Sequence, residues 1–170
     1  MKNINTYILE KFKISKDIKV KQEYKYHPKD AKALRQIIRK LLEKRGPDAD
    51  LNDIDVSNIT KFCWMNNVTC NILSPFTGLD PHNIDISKWD VSNATDMGNM
   101  FYRCRNFNSD LSSWDVSNVT DMKFMFSGCH KFDCDLNNWD ISNIKDMGNG
   151  TYHMFEECSS LKNIPSWYKK

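Results

Sequence analysis

Hydrophobic residues recur with a fixed period of 25 positions in the second half of the chain. Trp89, Trp114 and Trp139 mark the period, and each is followed by Asp, a β-branched residue, Ser and Asn. Within one copy the apolar positions lie two, three or four residues apart, which fits neither one long helix nor one strand. The pattern favours stacked copies, because no single copy can bury its apolar edge alone.

Two further copies carry insertions. A degenerate copy begins at Asp55, 35 residues before Asp90, and its ten extra residues precede Phe76. The last copy has four extra residues between Met147 and Met154. We therefore expect a solenoid of four coils in which equivalent residues form columns. Within a coil, MFSGC (125–129) is the best candidate for a helical turn and NVTDM (118–122) for a strand.

The polar residues of the repeat have a structural interpretation in such a stack. Asn93, Asn118 and Asn143 would line up at a corner and satisfy backbone groups that the bend leaves unpaired. Stacked carboxylates repel, so we expect each to accept backbone N–H groups in an Asx-turn; they are Asp90, Asp115, Asp140, Asp96, Asp121 and Asp146. Stacked carboxylates could instead hold calcium, but the glycine-rich turns of calcium-binding nonapeptide repeats are absent.

The segment FNSDLSSWDVSNVTDMKFMF (107–126) resembles the repeat of BspA-like leucine-rich-repeat proteins, in the 25-residue variant of many bacterial surface lipoproteins. The resemblance covers about residues 54–167. It implies a curved solenoid that binds other proteins. The predicted fold class is accordingly α+β: a leucine-rich-repeat-type solenoid of about four coils over residues 51–170, with a basic N-terminal helical cap over residues 1–50.

The cap prediction comes from the segment HPKDAKALRQIIRKLLEKRGP (27–47). Pro28 suits a first helical turn, Asp30 complements the positive helix end, and Gly46 with Pro47 should end the helix. Its apolar stripe consists of Leu34, Ile37, Ile38, Leu41 and Leu42. Such a helix would cover the apolar edge that the first coil exposes.

Charge is divided unevenly along the chain. Residues 1–47 hold 14 Lys and Arg against 5 Asp and Glu, whereas residues 48–170 hold 10 against 17. The basic helix therefore offers an alternative function, nucleic-acid binding through Arg35, Arg39 and Lys40. A solvated basic face is the commoner meaning of such a pattern, so nucleic acid is not the expected partner.

The N-terminal head is similar to a segment found on short intracellular repeat proteins of gut bacteria and their phages. This similarity implies a phage-encoded protein that binds and inhibits a host protein, such as a defence complex, in the manner of an anti-CRISPR. A phage structural component is a second role that the similarity leaves open. Glu10, Lys11 and Lys13 interrupt the first apolar stretch, so we expect neither an export signal nor a membrane span, and a cytoplasmic location. A surface adhesin, the commoner role of the resembled family, is the alternative and would require export.

Catalytic patterns are weak. The four histidines share no motif, and no glycine-rich phosphate loop is present. Cys104, Cys129 and Cys158 occupy one repeat position, which predicts a column of small core residues. A zinc site formed by Cys63, Cys70 and Cys134 lacks paired Cys-x-x-Cys spacing. We predict a non-enzymatic protein with no cofactor.

The positions that the repeat leaves variable indicate where a partner would bind. The residue before the second Met of each copy is Trp64, Asn99, Phe124 or His153, and both insertions fall in the same part of the coil. Inserted loops on one face are often the binding face, and Trp, Tyr and Arg are enriched at interface hot spots. The predicted binding residues are Trp64, Phe124, His153, Tyr102, Arg103, Arg105, Lys123 and His130. We expect a protein-binding module; its partner and oligomeric state are left open.

Overall fold

The computed structural model describes residues 23–66, 71–79 and 81–168. It contains helix α1 (Ala31–Arg45), an antiparallel hairpin of β1 (Trp64–Asn66) and β2 (Asn71–Leu73), and the short helix α2 (Met147–Gly150). In the hairpin Trp64 pairs with Leu73, Met65 with Ile72 and Asn66 with Asn71. Most of the remaining described chain consists of turns.

Helix α1 forms within the predicted segment, but it begins at Ala31, so Pro28 lies before the first turn and not in it. The Asp30 side chain caps it by accepting the Ala33 N–H at 2.7 Å, and Gly46 ends it at φ +88°. Leu34, Ile38 and Leu41 are buried in one core shared with the repeat copies. The predicted apolar stripe is confirmed, with Ile37 and Leu42 partly buried beside that core.

Hydrogen bonds between residues 24 positions apart join successive regular copies. Four alternate N–H groups of one regular copy donate to alternate carbonyls of the next at 2.8–2.9 Å. The donors are Met97, Asn99, Phe101 and Arg103, and the acceptors are Asp121, Lys123, Met125 and Ser127. The prediction that copies lie over one another is confirmed by these bonds.

Aromatic columns fill the core between the copies. The Trp89, Trp114 and Trp139 indoles each donate Nε1–H to a carbonyl of the preceding copy at 2.9–3.1 Å, and Trp167 continues the column. The Trp89 and Trp114 rings stack with centroids 6.4 Å apart. A second column stacks at 5.0, 5.6 and 5.8 Å; it consists of Phe76, Phe101, Phe126 and Phe155.

The structural roles predicted for the polar repeat residues are confirmed, with one exception. The Nδ2 groups of Asn93 and Asn118 donate to carbonyls of the preceding copy at 2.9 and 2.8 Å, and Asn143 does the same. Five of the six predicted Asx-turns form, each with the backbone N–H two residues on 2.9–3.1 Å from the Asp carboxylate. The sixth residue, Asp146, instead caps α2 by accepting the Asn149 N–H at 3.1 Å. Hydrogen bonds from Ser117 hold the pKa of Asp115 below its usual value.

The predicted fold class is nevertheless wrong. The described residues do not form an α+β leucine-rich-repeat-type solenoid of about four coils with a helical cap, because they contain two helices, one of four residues, and very little strand. Parallel pairing is limited to isolated bridges: Tyr26–Ile54, Asp50–Asp85, Lys61–Asp96 and Asp96–Asp121. No multi-stranded parallel sheet forms in the part of the chain that the structure describes.

Turn chemistry is the physical reason for this error. Asp and Ser take up backbone groups locally, so NVTDM provides one bridge at Asp121 and no continuous strand. MFSGC does not form a helical turn, because Gly128 adopts φ +78° and Phe124, just before the segment, adopts φ +54°. A right-handed helix cannot pass through left-handed residues.

Gly148 and Gly150 of α2 provide a test of how tightly the last copy is packed. A Cβ at Gly150 would lie 2.5 Å from Ile144 Cγ2, whereas a Cβ at Gly148 would come no closer than 3.6 Å to Asp146 Oδ1. We predict that Gly150→Ala lowers the free energy of unfolding by about 1–3 kcal/mol through overpacking. Gly148→Ala should leave it unchanged or raise it slightly. Urea unfolding measures both, and equal effects would contradict the packing.

Candidate functional site

A column of left-handed residues passes through the variable positions of the repeat. Asn99, Phe124 and His153 occupy equivalent places and have φ of +58°, +54° and +51°. Four residues later Arg103, Gly128 and Glu157 have φ of +59°, +78° and +58°. A left-handed conformation costs a non-glycine residue about 1–2 kcal/mol. Five of these six positions hold a residue other than glycine. Strained backbone conformations of this kind are concentrated at functional sites.

Four aromatic rings from three successive copies meet at this column. Phe124 stacks on His153 with centroids 5.6 Å apart and an interplanar angle of 3°. Edge-on contacts join Phe124 to Tyr102 at 6.3 Å and to Tyr152 at 5.5 Å. The Arg103 guanidinium lies 5.0 Å from the Tyr102 ring centroid. We call Tyr102, Arg103, Phe124, Tyr152 and His153 the aromatic surface.

The aromatic surface is accessible and carries charge at its edges. Tyr152 is 51% exposed, and Phe124, His153 and Tyr102 are partly exposed. His153 Nδ1 lies 3.2 Å from Glu156 Oε2. A Cβ at Gly128 would lie 3.2 Å from Arg103 Cα and Cγ, so only glycine lets the next copy approach Arg103 this closely.

Four of the eight predicted binding residues are therefore brought together: Phe124, His153, Tyr102 and Arg103. The other four are placed differently. Lys123 lies beside Phe124 in the chain, but its ammonium pairs with Asp121 at 3.1 Å in a neighbouring polar depression. Arg105 and His130 form a separate exposed column, in which backbone carbonyls accept N–H groups of the next copy. The Trp64 side chain lies outside the described part, although its backbone begins β1.

Tyr152 is the member of the aromatic surface that sequence reasoning missed. It corresponds in the repeat to Gly98 and Lys123, which are not aromatic, and it directly follows the four-residue insertion. The detectable signal was its position beside His153, a predicted binding residue. Contacts of Tyr152 with both Phe124 and His153 make it central to the surface.

The residues proposed for nucleic-acid binding have other partners. The Arg35 guanidinium donates to the Thr77 carbonyl and lies 3.5 Å from the carbonyl oxygens of Ser74 and Pro75. Burial and the nearby Arg39 charge lower the pKa of Arg35. Arg39 forms an exposed pair with Glu43 at 3.1 Å, and Lys40 is exposed. Arg35 thus fixes α1 to the first copy and is not directed at solvent.

The cysteines of the repeat are core residues, as predicted. Cys129 and Cys158 donate their S–H groups to the Phe101 and Phe126 carbonyls at 3.0 and 3.1 Å. Burial raises the pKa of the Cys158 thiol to about 12 and raises that of Cys129 further. Cys70 of the zinc alternative lies outside the described residues. Among the described residues no three His, Cys, Asp or Glu side chains are grouped to hold a metal ion.

Comparison with known proteins gives one match. Residues 70–170, more than half of the chain, match the family described as Mycoplasma protein of unknown function, DUF285. The chain belongs to the DUF285 family. No curated protein and no solved structure matches it significantly. The aromatic surface lies wholly within the DUF285 region, whereas α1 and Trp64 precede it. In the described part of the chain, no helix has the length and apolarity needed to span a membrane.

The Arg35→Ala variant tests whether Arg35 stabilises the fold or binds the phosphate groups of a nucleic acid. Its loss leaves loop carbonyls without a charged donor, so we expect the free energy of unfolding to fall by about 1.5–3 kcal/mol. Arg39→Ala, which removes an exposed ion pair, should cost no more than about 0.5 kcal/mol. Urea unfolding measures both values. An Arg35→Ala chain as stable as wild type, with a reduced salt dependence of DNA retention, would support the nucleic-acid alternative instead.

Proposed function

We propose that this chain is a non-enzymatic protein-binding module and that the aromatic surface contacts its partner. The observation that carries the proposal is the position of Phe124 and His153. Both are partly exposed rings at left-handed backbone positions, where glycine would be the unstrained choice. Selection for stability alone would favour glycine over Phe or His at these two positions.

The composition of the aromatic surface supports this proposal. Tyr and Arg are enriched at the hot spots of protein interfaces, because they combine a large contact area with polar groups. The rings of Phe124, Tyr152 and His153 already fix one another, so little side-chain freedom remains to be lost on binding. Because rings that are ordered before binding lose less conformational entropy when the partner binds, this arrangement favours higher affinity.

Other parts of the functional hypothesis stay predictions. The resemblance to BspA-like proteins, the phage origin and the inhibition of a host defence complex depend on sequence similarity alone. The adhesin alternative and the cytoplasmic location have the same standing. The binding proposal does not depend on any of them.

Replacing Phe124 by glycine tests the proposal. Three ring contacts are lost, at about 0.5–1.5 kcal/mol for each aromatic pair, and relief of the left-handed residue offsets about 1–2 kcal/mol of that loss. We therefore expect Phe124→Gly to lower the free energy of unfolding by about 1.5 kcal/mol. In affinity purification from cells of the source organism, proteins retained by the wild-type chain should fall at least about tenfold, the loss of a typical hot spot.

Two control variants define the range of outcomes. Phe126→Ala removes a fully buried ring two residues further on and should cost about 3–5 kcal/mol in unfolding free energy. Lys88→Ala changes an exposed residue outside the aromatic surface and should retain the same proteins as wild type. The proposal is wrong if Phe124→Gly retains those proteins, or if it destabilises the chain as strongly as Phe126→Ala.

A further inference from the structure

The last copy ends with a row of amides that the earlier copies use for stacking. N–H groups of Phe124, Phe126 and Gly128 donate to carbonyls of the last copy at 2.8–3.0 Å. The equivalent donors one copy later are His153, Phe155 and Glu157. The His153 and Glu157 amides form no hydrogen bond with a described residue, whereas the Phe155 amide faces the Tyr168 hydroxyl. The three amides are spaced by two residues, the spacing of alternate carbonyls in an extended chain.

A groove runs along these three residues. Its volume is about 680 Å³, and it is lined by His153, Phe155 and Glu157 on the amide side. Leu161, Ile164 and Tyr168 of the C-terminal segment contribute apolar surface, and Ile164 is 45% exposed. Unpaired amides beside an apolar groove match the requirements for an added strand-like segment.

The opposite end of the stack is covered. There Arg35 of α1 donates to the Thr77 carbonyl and lies 3.5 Å from the Pro75 carbonyl oxygen. A second copy of this chain could add to the amide end only by presenting carbonyls that α1 already engages. This asymmetry argues against head-to-tail stacking of two chains and in favour of a different protein as the occupant.

Charge indicates the chemistry of the occupant. The lining of the groove includes Glu156 and Glu157, both exposed, and contains no lysine or arginine. In the preceding copies the position of Glu157 is taken by Arg103 and Gly128. A segment that stacks on the last copy in the same register places one residue, the equivalent of Glu157, beside the Glu157 carboxylate. A Lys or Arg is favoured at that position of the segment.

We propose that the last copy binds an extended segment of another protein, which places carbonyls on the His153 and Glu157 amides and a Lys or Arg beside Glu157. Apolar residues at alternate positions of that segment lie against Leu161, Ile164 and Tyr168. The site goes beyond the proposed function, since it depends on backbone amides and on Glu157, and not on the Phe124 ring.

Amide hydrogen exchange of the free chain gives the first test. His153 and Glu157 should exchange at least about a hundredfold faster than Phe124 and Gly128, because stacked amides open only with the structure around them. Equal protection of both sets in the free chain would overturn the proposal. Protection that rises with protein concentration would assign the groove to a second copy and would overturn it equally.

A synthetic peptide gives the second test. The probe is ATDMGNMFYR, the sequence of residues 94–103, which has the correct register and ends in the arginine that should meet Glu157. At millimolar concentration it should slow exchange at His153 and Glu157. A probe carrying Arg103→Glu should bind at least about tenfold more weakly, because it opposes two glutamates.

Variants of the protein separate this site from the aromatic surface. Glu157→Gln should weaken binding of the arginine probe several-fold, and Glu43→Gln on α1, an equal change in charge, should not. Phe124→Gly should bind the probe as wild type does, even if it loses the partner captured from cells. No protection of the two amides by the arginine probe, or equal binding of both probes, would overturn the proposal.

Discussion

Alternate backbone amides of the regular copies have acceptors only in the next copy, and this constraint determines the arrangement of the molecule. The intervening amides close local turns, as Met100 does on Met97, so each copy is a ribbon of turns with one row of donors directed along the stack. Tryptophan Nε1 groups and Asn Nδ2 groups add bonds in the opposite direction, from each copy to the one before it. Aromatic columns fill the space that these bonds enclose.

The same constraint explains the candidate sites. In each regular copy the chain closes turns and still directs alternate amides towards the next copy, and left-handed residues occur where it does so. Phe124 and His153 are two of these residues, and their rings lie on the surface with those of Tyr102 and Tyr152. At the first copy, Arg35 of α1 donates to the Thr77 carbonyl. At the last copy, the donors of His153, Phe155 and Glu157 line a groove. The two candidate sites thus follow from one backbone pattern.

The sequence was sufficient to predict the period, the columns and α1, because tryptophan, asparagine and aspartate recur at fixed spacing and α1 has both a cap and a stop signal. It did not predict the local structure. Alternating polar residues suggested strands, but Asp–Ser turns satisfy the backbone locally and leave only bridges such as Asp96–Asp121. The left-handed residues were hidden because glycine occupies only part of one column, at Gly78 and Gly128, whereas Arg103 and Glu157 hold its other positions. Tyr152 was missed because the insertion before it shifts the repeat register.

Deleting one whole copy tests the central claim, that copies of 25 residues stack through backbone hydrogen bonds between residues 24 positions apart. Removal of residues 101–125 joins Met100 to Phe126 and keeps every column aligned, whereas removal of residues 102–125 shifts the columns by one position. Because stacked copies contact mainly their neighbours, the first deletion should leave a chain with cooperative thermal unfolding and dispersed amide resonances, and the second should not. If both deletions unfold the chain, or both are tolerated, the copies do not depend on this register and the account fails.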